Sequence, residues 1–571
     1  MGKADPKAQT MQTINRRRLL ASAGATIFMM AAGSPAFAVN LRFQVVVYGA
    51  TSAGVFAACA AAREGMKVAL VVGPNPIGGM TANGLSRADA NEKQPIGGMT
   101  GAFFKAMGTA YGLPSAFRFE PHVAESYYRG LLDDAEVTVF TQDTLERNPL
   151  YMDGNRIKYI ILEDSTHLVG DVYVDCSYEG DLMAAAGVSY EYGRDGQEKY
   201  GEPTAGFGLA QKVVTKVKVR TASGALMPMV KPFPTTAIGA GDRAVMGFNY
   251  RLCLTDDPAD RRPFEKPAGY NSNWYLLDLA KGFTRDGLHA GGELPGLDKV
   301  DRNNDEAPGE NWGYPTGTRA RRKSITDFHR RYQAGRLYFY GNDPRVPQYF
   351  RDSTNTWGLA RSEFTDNDNW PRQLYIREGR RMKGMYKFNQ ADTNAGARFD
   401  DGVLLWGYDY DSHPVQNLEG PNGELVIEGS NTAETPGMGA KRYHLPLRFS
   451  HEGRQLQLPD GAGLYDGGRS RRHLRRPRGQ GQGRGAGRRP AGRGHRPQGL
   501  RRDSVGMQSI SSGVVPAKAG TSRREGALAG SRSRPSPIGA KIMDSPFWLI
   551  VIQALNGHQR RRSRLAVGCF P

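Results

Sequence analysis

The chain has 571 residues, which allows about two to four domains, and its hydrophobic content of 39% supports a packed core. A wholly disordered or fibrous protein is therefore excluded. The formal net charge of +19 is confined to the end of the chain: residues 451–571 carry 24 Lys and Arg against 6 Asp and Glu, whereas the first 450 carry 52 against 51. An argument from charge for a nucleic-acid partner therefore applies only to residues 451–571.

The cysteines and apolar runs exclude further classes of protein. The four cysteines are scattered without a C-x-x-C pair, which argues against a disulfide framework, a zinc ribbon or a thiol redox motif. We therefore predict no metal site. No apolar run reaches the roughly 18–20 residues of a membrane span, so we predict no membrane span.

The first 38 residues have the pattern of an export signal. Arg16 and Arg17 open a basic region, an apolar stretch follows, and Ala36-x-Ala38 has the small-residue spacing of a signal-peptidase site. The pattern resembles twin-arginine signals, which export folded proteins, and predicts a periplasmic or secreted protein beginning near Val39. The alternative is an uncleaved amphipathic start on a cytoplasmic enzyme.

The next segment predicts a βαβ unit that binds a dinucleotide. A β-rich run at Phe43–Tyr48 leads through a glycine turn into an alanine-rich helix at Val55–Glu64, and Lys67–Val72 is the second strand. Gly49 is expected to make the tight turn, and Gly54 to let the helix pack closely on the sheet. An ordinary βαβ crossover with a tight glycine turn is the alternative.

Two positions in this unit depart from the dinucleotide-binding pattern. Thr51 stands where the middle glycine is usual, and Val72 stands where an acid usually binds the ribose. We still expect the helix N-terminus to hold a diphosphate, because its unpaired N–H groups and partial positive charge attract anions.

Separated motifs downstream resemble those of a family of FAD-dependent oxidoreductases with a glutathione-reductase-like flavin fold. The resemblance covers roughly residues 43–450 and is carried by Pro76–Ser86 (PIGGMTANGLS), Ile96–Met99, Phe119–Glu125, Val172–Leu182 (VYVDCSYEGDL), Asn311–Pro315, Gln373–Met382 and Asp411–His413.

The resemblance implies FAD as cofactor and a set of residues that contact it. These residues are Gly49, Ala50, Thr51, Ser52, Ala53, Gly54, Gly78, Gly79, Met80, Asp175, Gly180 and Asp181. In this interpretation Gly78 and Gly79 let the chain pass against the cofactor without a clash, and the strand ending at Asp175 terminates beside the flavin. The alternative for Asp175 to Asp181 is a simple strand-to-helix cap.

The middle of the chain is predicted to be a mixed α+β substrate domain. Lys216–Arg220 and Asn249–Leu254 are predicted strands, Gly269–Gly317 long loops, and Thr318–Gln333 a basic helix. Leu374–Met382 places three arginines at helical spacing, namely Arg377, Arg380 and Arg381. That face is either solvated or an anion clamp for an acidic substrate or a flavin phosphate.

Catalytic side chains cannot be fixed from these patterns. His122 and His413 are the histidines inside family-like motifs, and with Arg377 they are the candidates, although a lone histidine is more often a packed polar residue. Flavin supplies the redox chemistry itself, so the protein need only position a small-molecule substrate and tune the ring. The substrate and the electron acceptor stay open.

Residues 451–571 differ in composition from the rest of the chain. They contain 22 Arg but only Lys518 and Lys541. Such an excess is typical of GC-rich DNA read in the wrong frame, and a one-base shift at His451–Gln457 can restore a stretch resembling the family's continuation. We hypothesise a frameshift near residue 449 that leaves a disordered basic tail. A genuine RNA- or membrane-binding tail is the alternative, although Phe547–Ile552 is too short to span a bilayer.

The sequence therefore predicts an α/β protein with a Rossmann-like FAD domain and an inserted substrate domain. The expected divisions are a signal at 1–38, the first part of the FAD domain at 39–200, the substrate domain at 201–370, a return segment at 371–450 and the tail at 451–571. The predicted function is FAD-dependent oxidation or reduction of a small organic substrate. The alternatives are a cofactor-deficient remnant of such an enzyme and a protein that binds nucleic acid through its tail.

Overall fold

The computed structural model describes residues 39–88, 96–294, 298–384 and 412–429, together with the strands at 386–388, 402–406, 443–446, 449–451 and 550–553. The predicted signal at 1–38 lies outside the described residues. So does the predicted tail, apart from residue 451 and the strand at 550–553.

The described part of the chain contains both helices and strands. The helices are α1 (Ser52–Arg63), α2 (Gly98–Ala110), α3 (Pro121–Asp134), α4 (Asp181–Ala185), α5 (Gln197–Tyr200), α6 (Leu276–Lys281), α7 (Arg319–Asn342) and α8 (Gln348–Asn355). The strands are β1 (Asn40–Tyr48), β2 (Val68–Val71), β3 (Thr138–Phe140), β4 (Leu150–Asp153), β5 (Arg156–Ile161), β6 (His167–Asp175), β7 (Tyr190–Glu191), β8 (Gln211–Lys218), β9 (Leu252–Thr255), β10 (Arg261–Arg262), β11 (Gly292–Glu293), β12 (Lys299–Arg302), β13 (Gly358–Ala360), β14 (Arg381–Met382), β15 (Tyr386–Phe388), β16 (Gly402–Trp406), β17 (Gln416–Glu419), β18 (Glu424–Glu428), β19 (Tyr443–Pro446), β20 (Phe449–His451) and β21 (Ile550–Gln553).

The first sheet has the parallel core that the βαβ pattern predicts. Its order is β3-β2-β1-β6-β5-β4, with β1, β2, β3 and β6 parallel and with β5 antiparallel to both β6 and β4. Residues alternate across β1, so Val45 and Val47 join the core beneath α1 to α3, while Val46 and Tyr48 join a second core on the opposite face. Burial on both faces explains the unbroken apolar run, which is usual for a parallel strand.

The part of the chain after β7 contains two further sheets of three or more strands. One has the order β10-β13-β9-β12-β11 and packs with α7 and α8 around an aromatic core that includes Tyr275, Tyr332, Phe339 and Trp370. The other has the order β17-β18-β8. Among the described residues, none of the helices has the length and apolar character needed to cross a membrane.

Several predicted elements differ in the structure. The basic helix is confirmed but extends to Asn342 as α7, and the strand predicted at Lys216–Arg220 lies earlier, at β8. The segment predicted as long loops contains α6 and β12. The helix implied by the spacing in Leu374–Met382 is wrong, because this segment contains no helix and ends in β14, which pairs with β7.

The strand β21 lies within the segment predicted to be a disordered tail. Its residues pair antiparallel with the last four residues of β6, with Ile550 opposite Asp175. The division of the chain into the predicted domain ranges stays a prediction.

Candidate flavin site and neighbouring polar clusters

The turn from β1 into α1 is closed by two glycines. Gly49 has a φ of +91°, and a Cβ atom there would lie 2.6 Å from the backbone nitrogen of Ser177. A Cβ atom on Gly54 would lie 1.9 Å from the carbonyl oxygen of Gly49. The helix therefore starts directly against the strand, as expected for these glycines.

The side chains at the start of α1 turn back into the protein. Thr51 Oγ1 accepts from the Gly54 amide at 3.3 Å and donates to the Cys176 carbonyl at 2.8 Å, while Ser52 Oγ donates to the Gly78 carbonyl at 3.0 Å. Thr51 thus caps the helix in place of the usual middle glycine.

The amide of Ala53 is left for an external acceptor. Ala53 is buried, and its N–H has no hydrogen-bond acceptor among the described residues. A buried helix start normally satisfies its amides with a cap, water or a ligand, and its partial positive charge favours an anion. The start of α1 therefore fits a diphosphate.

The glycine loop after β2 lies against this turn, but its glycines are required by protein contacts. The Gly78 amide donates to the Ala50 carbonyl at 2.8 Å. A Cβ atom on Gly78 would meet the ring of Tyr128 at 2.5 Å, and one on Gly79 the Tyr178 hydroxyl at 2.2 Å. Close approach to Tyr128 and Tyr178 accounts for the absence of a side chain at both positions, and contact of Gly78 and Gly79 with the cofactor stays a prediction. Met80 lies in the same loop, and its amide donates to the Tyr178 hydroxyl at 2.8 Å.

The carboxyl end of β6 forms a strand-to-helix cap. Asp175 Oδ1 accepts from the amide and hydroxyl of Ser177, and its Oδ2 accepts from the Met183 amide of α4 at 2.8 Å. Burial raises the pKa of Asp175 to about 6, although these hydrogen bonds oppose the rise. Gly180 turns the chain with a φ of +66° immediately before α4.

Asp181 connects this end of the sheet to the helix α7 and to the segment that contains Arg380. Its carboxylate accepts from Arg322 of α7 at 2.5 and 2.8 Å and from Arg380 at 2.5 Å. Burial would raise the pKa of Asp181, but the hydrogen bonds and charges of the two guanidinium groups hold it below its usual range. Asp181, predicted as a cofactor contact, is therefore engaged by two protein cations.

Glu179 lies in the same capping turn and is fully buried. It accepts from the Tyr314 hydroxyl at 2.9 Å and from Asn75 Nδ2 at 3.2 Å. Burial raises the pKa of Glu179, and the charge of Arg322 opposes that rise. Tyr314 thus connects the turn to the aromatic core around α7 and α8, and Asn75 connects it to the loop after β2.

The three arginines of the return segment point to three separate sites, and each is buried. Arg377 contacts Asn249 and Glu306, Arg380 contacts Asp181, and Arg381 donates to the Gly193 carbonyl at 2.8 Å. The prediction that they share one face is wrong, because the segment does not form the helix that would align these three positions. The three arginines therefore form neither a solvated face nor a common anion clamp.

His413, Arg377 and Glu306 form a hydrogen-bonded cluster. Arg377 Nη1 lies 3.0 Å from His413 Nε2, and His413 Nδ1 lies 2.7 Å from Glu306 Oε1. Because a guanidinium only donates, Nε2 is the accepting nitrogen, and a neutral His413 carries its proton on Nδ1. Burial opposes ionisation of Glu306, yet His413 and Arg377 lower the pKa of Glu306 to about 2.

His122 belongs to a different cluster, at the start of α3. Its Nδ1 lies 2.7 Å from Glu363 Oε1, and its ring is half exposed. The hydrogen bond to Glu363 raises the pKa of His122. Ligand atoms of Glu120, His122 and Glu363 lie within 4.8 Å of one another. The ammonium group of Lys299 forms ion pairs with both Glu120 and Glu363 in this cluster. The two predicted histidines thus lie in separate ion-pair clusters.

Several buried residues with unpartnered polar atoms were not predicted from the sequence, among them His329, Asn311 and Glu378. The described part of the chain offers no hydrogen-bond partner to these side-chain atoms: His329 Nδ1 and Nε2, Asn311 Oδ1 and Glu378 Oε1. Asn311 and Glu378 fall inside quoted motifs, but nothing in their pattern marks them as unpaired. His329 lies inside the basic helix, where the neighbouring charges conceal a buried position.

Comparison with known proteins defines the class to which this fold and site belong. Residues 44–449 match the family described as FAD dependent oxidoreductase. The chain therefore belongs to the FAD dependent oxidoreductase family, and FAD is its cofactor.

Similar solved structures share only part of this chain. They include L-amino acid deaminase from Proteus vulgaris (12% identity, TM-score 0.22, 28% of this chain and 54% of that chain). Another is a geranylgeranyl bacteriochlorophyll reductase-like protein from Thermoplasma acidophilum (16% identity, TM-score 0.19, 26% of this chain and 43% of that chain). This chain thus spans about half the length of these proteins. No curated protein matches it.

Proposed function

We propose that the protein oxidises or reduces a small organic substrate by hydride transfer to or from FAD. The observation that carries the proposal is the start of α1, where Gly54 packs against Gly49 and the buried Ala53 amide has no acceptor in the described part of the chain. The family match supports the same conclusion.

The contacts suggest different tasks for different residues. The backbone from Gly49 to Gly54 would hold the diphosphate of FAD, and the flavin ring supplies the redox chemistry when it is bound. Asp175 and Asp181 hold the turn after β6 in shape through the α4 amide and the two guanidinium groups. We propose that they position the cofactor-binding loops.

The three catalytic candidates have structural partners. Arg377 donates to the Gly247 carbonyl at 2.9 Å as well as to its cluster partners, and both ring nitrogens of His413 face protein groups. We therefore propose that Arg377 and His413 are positioning residues. His122 pairs with Glu363 at the other cluster and stays a candidate acid or base.

Flavin content tests the proposal. We expect purified full-length protein to show the two visible absorption bands of bound flavin, and to lose the longer-wavelength band on anaerobic reduction. A Gly130→Ala control, at an exposed glycine with open space around its Cβ position, should retain both bands. A folded, colourless protein that takes up no added FAD would instead identify a cofactor-deficient remnant.

We also propose that the protein is exported and that residues after about 449 are frameshifted. The paired arginines with Ala36-x-Ala38 support export, and the change in charge after residue 450 supports the frameshift. A reporter fused after Ala38 should reach the periplasm, and Arg16→Lys with Arg17→Lys should retain it in the cytoplasm. Resequencing the gene around residue 449 tests the frameshift. If the tail instead binds RNA, deleting residues after Arg448 should abolish salt-sensitive binding.

A further inference from the structure

Four large apolar side chains between residues 209 and 238 are exposed to solvent. The exposed fractions are 36% for Leu209, 51% for Val213, 41% for Phe233 and 56% for Ile238. Single exposed apolar residues are ordinary on a protein surface, whereas a contiguous group marks a surface that binds another body. The contacts among the four side chains therefore decide whether they form a binding surface.

The four side chains surround Phe207, which is buried. The Phe207 amide donates to the Ala240 carbonyl, and the Phe207 carbonyl accepts from the Gly239 amide, both at 2.8 Å. The segment that carries Leu209 therefore runs beside the segment that carries Ile238.

Leu209 and Ile238 each contact the neighbouring segment of this pair. A Cβ atom on Gly208 would lie 2.5 Å from Ile238 Cδ1, and one on Gly239 would lie 3.6 Å from Leu209 Cδ1. The two exposed side chains thus lie on the same part of the surface.

Phe233 and Val213 adjoin the same buried ring. The Phe233 ring meets the Phe207 ring edge-on, with centroids 5.7 Å apart. Val213 of β8 lies opposite Val426 of β18, and Val426 packs in one cluster with Phe207. The four exposed side chains are therefore contiguous around one buried residue. We call the following residues the apolar ridge: Leu209, Val213, Phe233 and Ile238.

The apolar ridge lies in a basic part of the chain. Residues 203–241 contain five Lys and Arg and no Asp or Glu. Val217 and Val219 are buried in the core on the opposite face of the sheet that contains β8, so the alternating Lys216 and Lys218 project from the face of the apolar ridge. Both lysines are exposed. This surface therefore combines exposed apolar side chains with positive charge.

Two acids of the same sheet are engaged by other protein groups. Glu424 lies opposite Lys218, but it is buried and accepts from the Asn422 amide at 2.8 Å. Glu419 pairs with Arg220 at 2.5 Å. The Lys218 ammonium group donates to the Asn422 carbonyl, a neutral group that does not cancel its charge. The surface is therefore suited to an anionic partner.

The loop at 232–238, which carries Phe233 and Ile238, is apolar and projects into solvent. Six of its seven residues are exposed and none is charged. Prolines on both sides of Phe233 restrict the backbone there. A protein partner would need a cavity that matches this loop, whereas the boundary between lipid headgroups and acyl chains accepts an apolar loop of any shape and supplies anions to nearby lysines.

We propose that the apolar ridge, with Lys216 and Lys218, docks the protein on the surface of an anionic lipid bilayer. The apolar side chains enter the boundary between headgroups and acyl chains, and the two lysines bind lipid phosphate groups. The protein lies on the bilayer without spanning it. This attachment does not depend on the hydride-transfer function.

Cosedimentation of the full-length protein with vesicles tests the proposal. The vesicles contain phosphatidylcholine and phosphatidylglycerol in equal parts, or phosphatidylcholine alone. We expect binding to the mixed vesicles that weakens as salt is added, and weaker binding to phosphatidylcholine alone. Phe233→Ser combined with Ile238→Ser should weaken binding to the mixed vesicles at least about tenfold, because apolar area buried in the bilayer is lost. Its unfolding temperature should be unchanged, since both side chains are exposed.

Matched variants outside the apolar ridge control for a general loss of surface character. Leu113→Ser combined with Tyr151→Ser removes side chains of comparable size and exposure, and it should keep wild-type binding. Lys216→Gln should weaken binding about fivefold, which is the effect of one lysine near an anionic membrane surface. Lys105→Gln, at an exposed lysine on α2, should leave binding unchanged.

Four outcomes would overturn the proposal. Wild-type protein that binds neither kind of vesicle would refute it directly. Equal binding by the wild type and by Phe233→Ser with Ile238→Ser would assign the attachment to the basic residues 451–571. A wild-type dimer in sedimentation velocity without lipid, lost in the double variant, would make the apolar ridge an interface between two copies. Binding of polyglutamate that the double variant weakens as strongly as vesicle binding would identify an acidic protein partner.

Discussion

Gly54 of α1 packs against the carbonyl group of Gly49 so closely that a Cβ atom would lie 1.9 Å from its oxygen. We expect Gly54→Ala to separate the helix from the strand, destabilise the protein by about 3 kcal/mol and remove most of the bound flavin. Urea unfolding and flavin absorbance measure the two effects. Gly130→Ala, in the exposed part of α3, should leave flavin content unchanged and stability unchanged or slightly higher. Equal behaviour of the two variants would contradict this account of the turn.

Asp181 is expected to be a major contributor to stability. Asp181→Asn leaves Arg322 and Arg380 without their carboxylate partner, and because this ion-pair cluster is partly buried, the loss should be about 2–3 kcal/mol. The midpoint of urea unfolding reports the loss. Asp153→Asn is the control, because the Asp153–Lys158 pair is exposed and should contribute less than about 1 kcal/mol. A similar midpoint shift in both variants would refute the prediction.

Arg377 is expected to act through geometry as well as charge. Its guanidinium donates to the Gly247 carbonyl, Asn249 and His413 in one buried plane, a pattern that a lysine ammonium cannot reproduce. Arg377→Lys should therefore lower the unfolding free energy by about 3 kcal/mol despite retaining the positive charge. Arg129→Lys, at an exposed ion pair on α3, should change it by less than about 0.5 kcal/mol. Wild-type stability in Arg377→Lys would show that charge alone suffices.

Because its pKa is raised, we expect Glu378 to make the protein less stable as the pH rises. Its pKa is raised by burial from 4.5 to about 7, so between these values the unfolded chain releases a proton that the folded protein retains. The contribution is complete below about pH 4.5 and is lost as the pH rises through 7, on the order of 3 kcal/mol in total.

Glu378→Gln tests this pH dependence, because its side chain does not titrate. The difference in unfolding temperature between pH 5 and pH 8 should be smaller in Glu378→Gln than in the wild type. Glu265→Gln, at an exposed carboxyl group, is the control and should keep the wild-type difference. An unchanged difference in Glu378→Gln would rule out Glu378 as its source.

The sequence alone determined the βαβ unit and the family. The strand β1, the glycine turn and α1 are consecutive, so local periodicity and steric demands specify them without knowledge of the rest of the fold. The family motifs are likewise contiguous stretches, which is why FAD was predictable as the cofactor.

The tertiary structure decided what the polar side chains do. Arg377 meets Asn249 across 128 residues of sequence, and Arg322 meets Asp181 across 141. Helical spacing placed the three arginines on one face, whereas the structure has no helix there and their side chains reach three separate sites. The unpaired state of His329 is also invisible in the sequence, because it depends on which distant groups surround a buried ring. Local spacing specifies backbone conformation, but burial and pairing arise only when remote segments pack together.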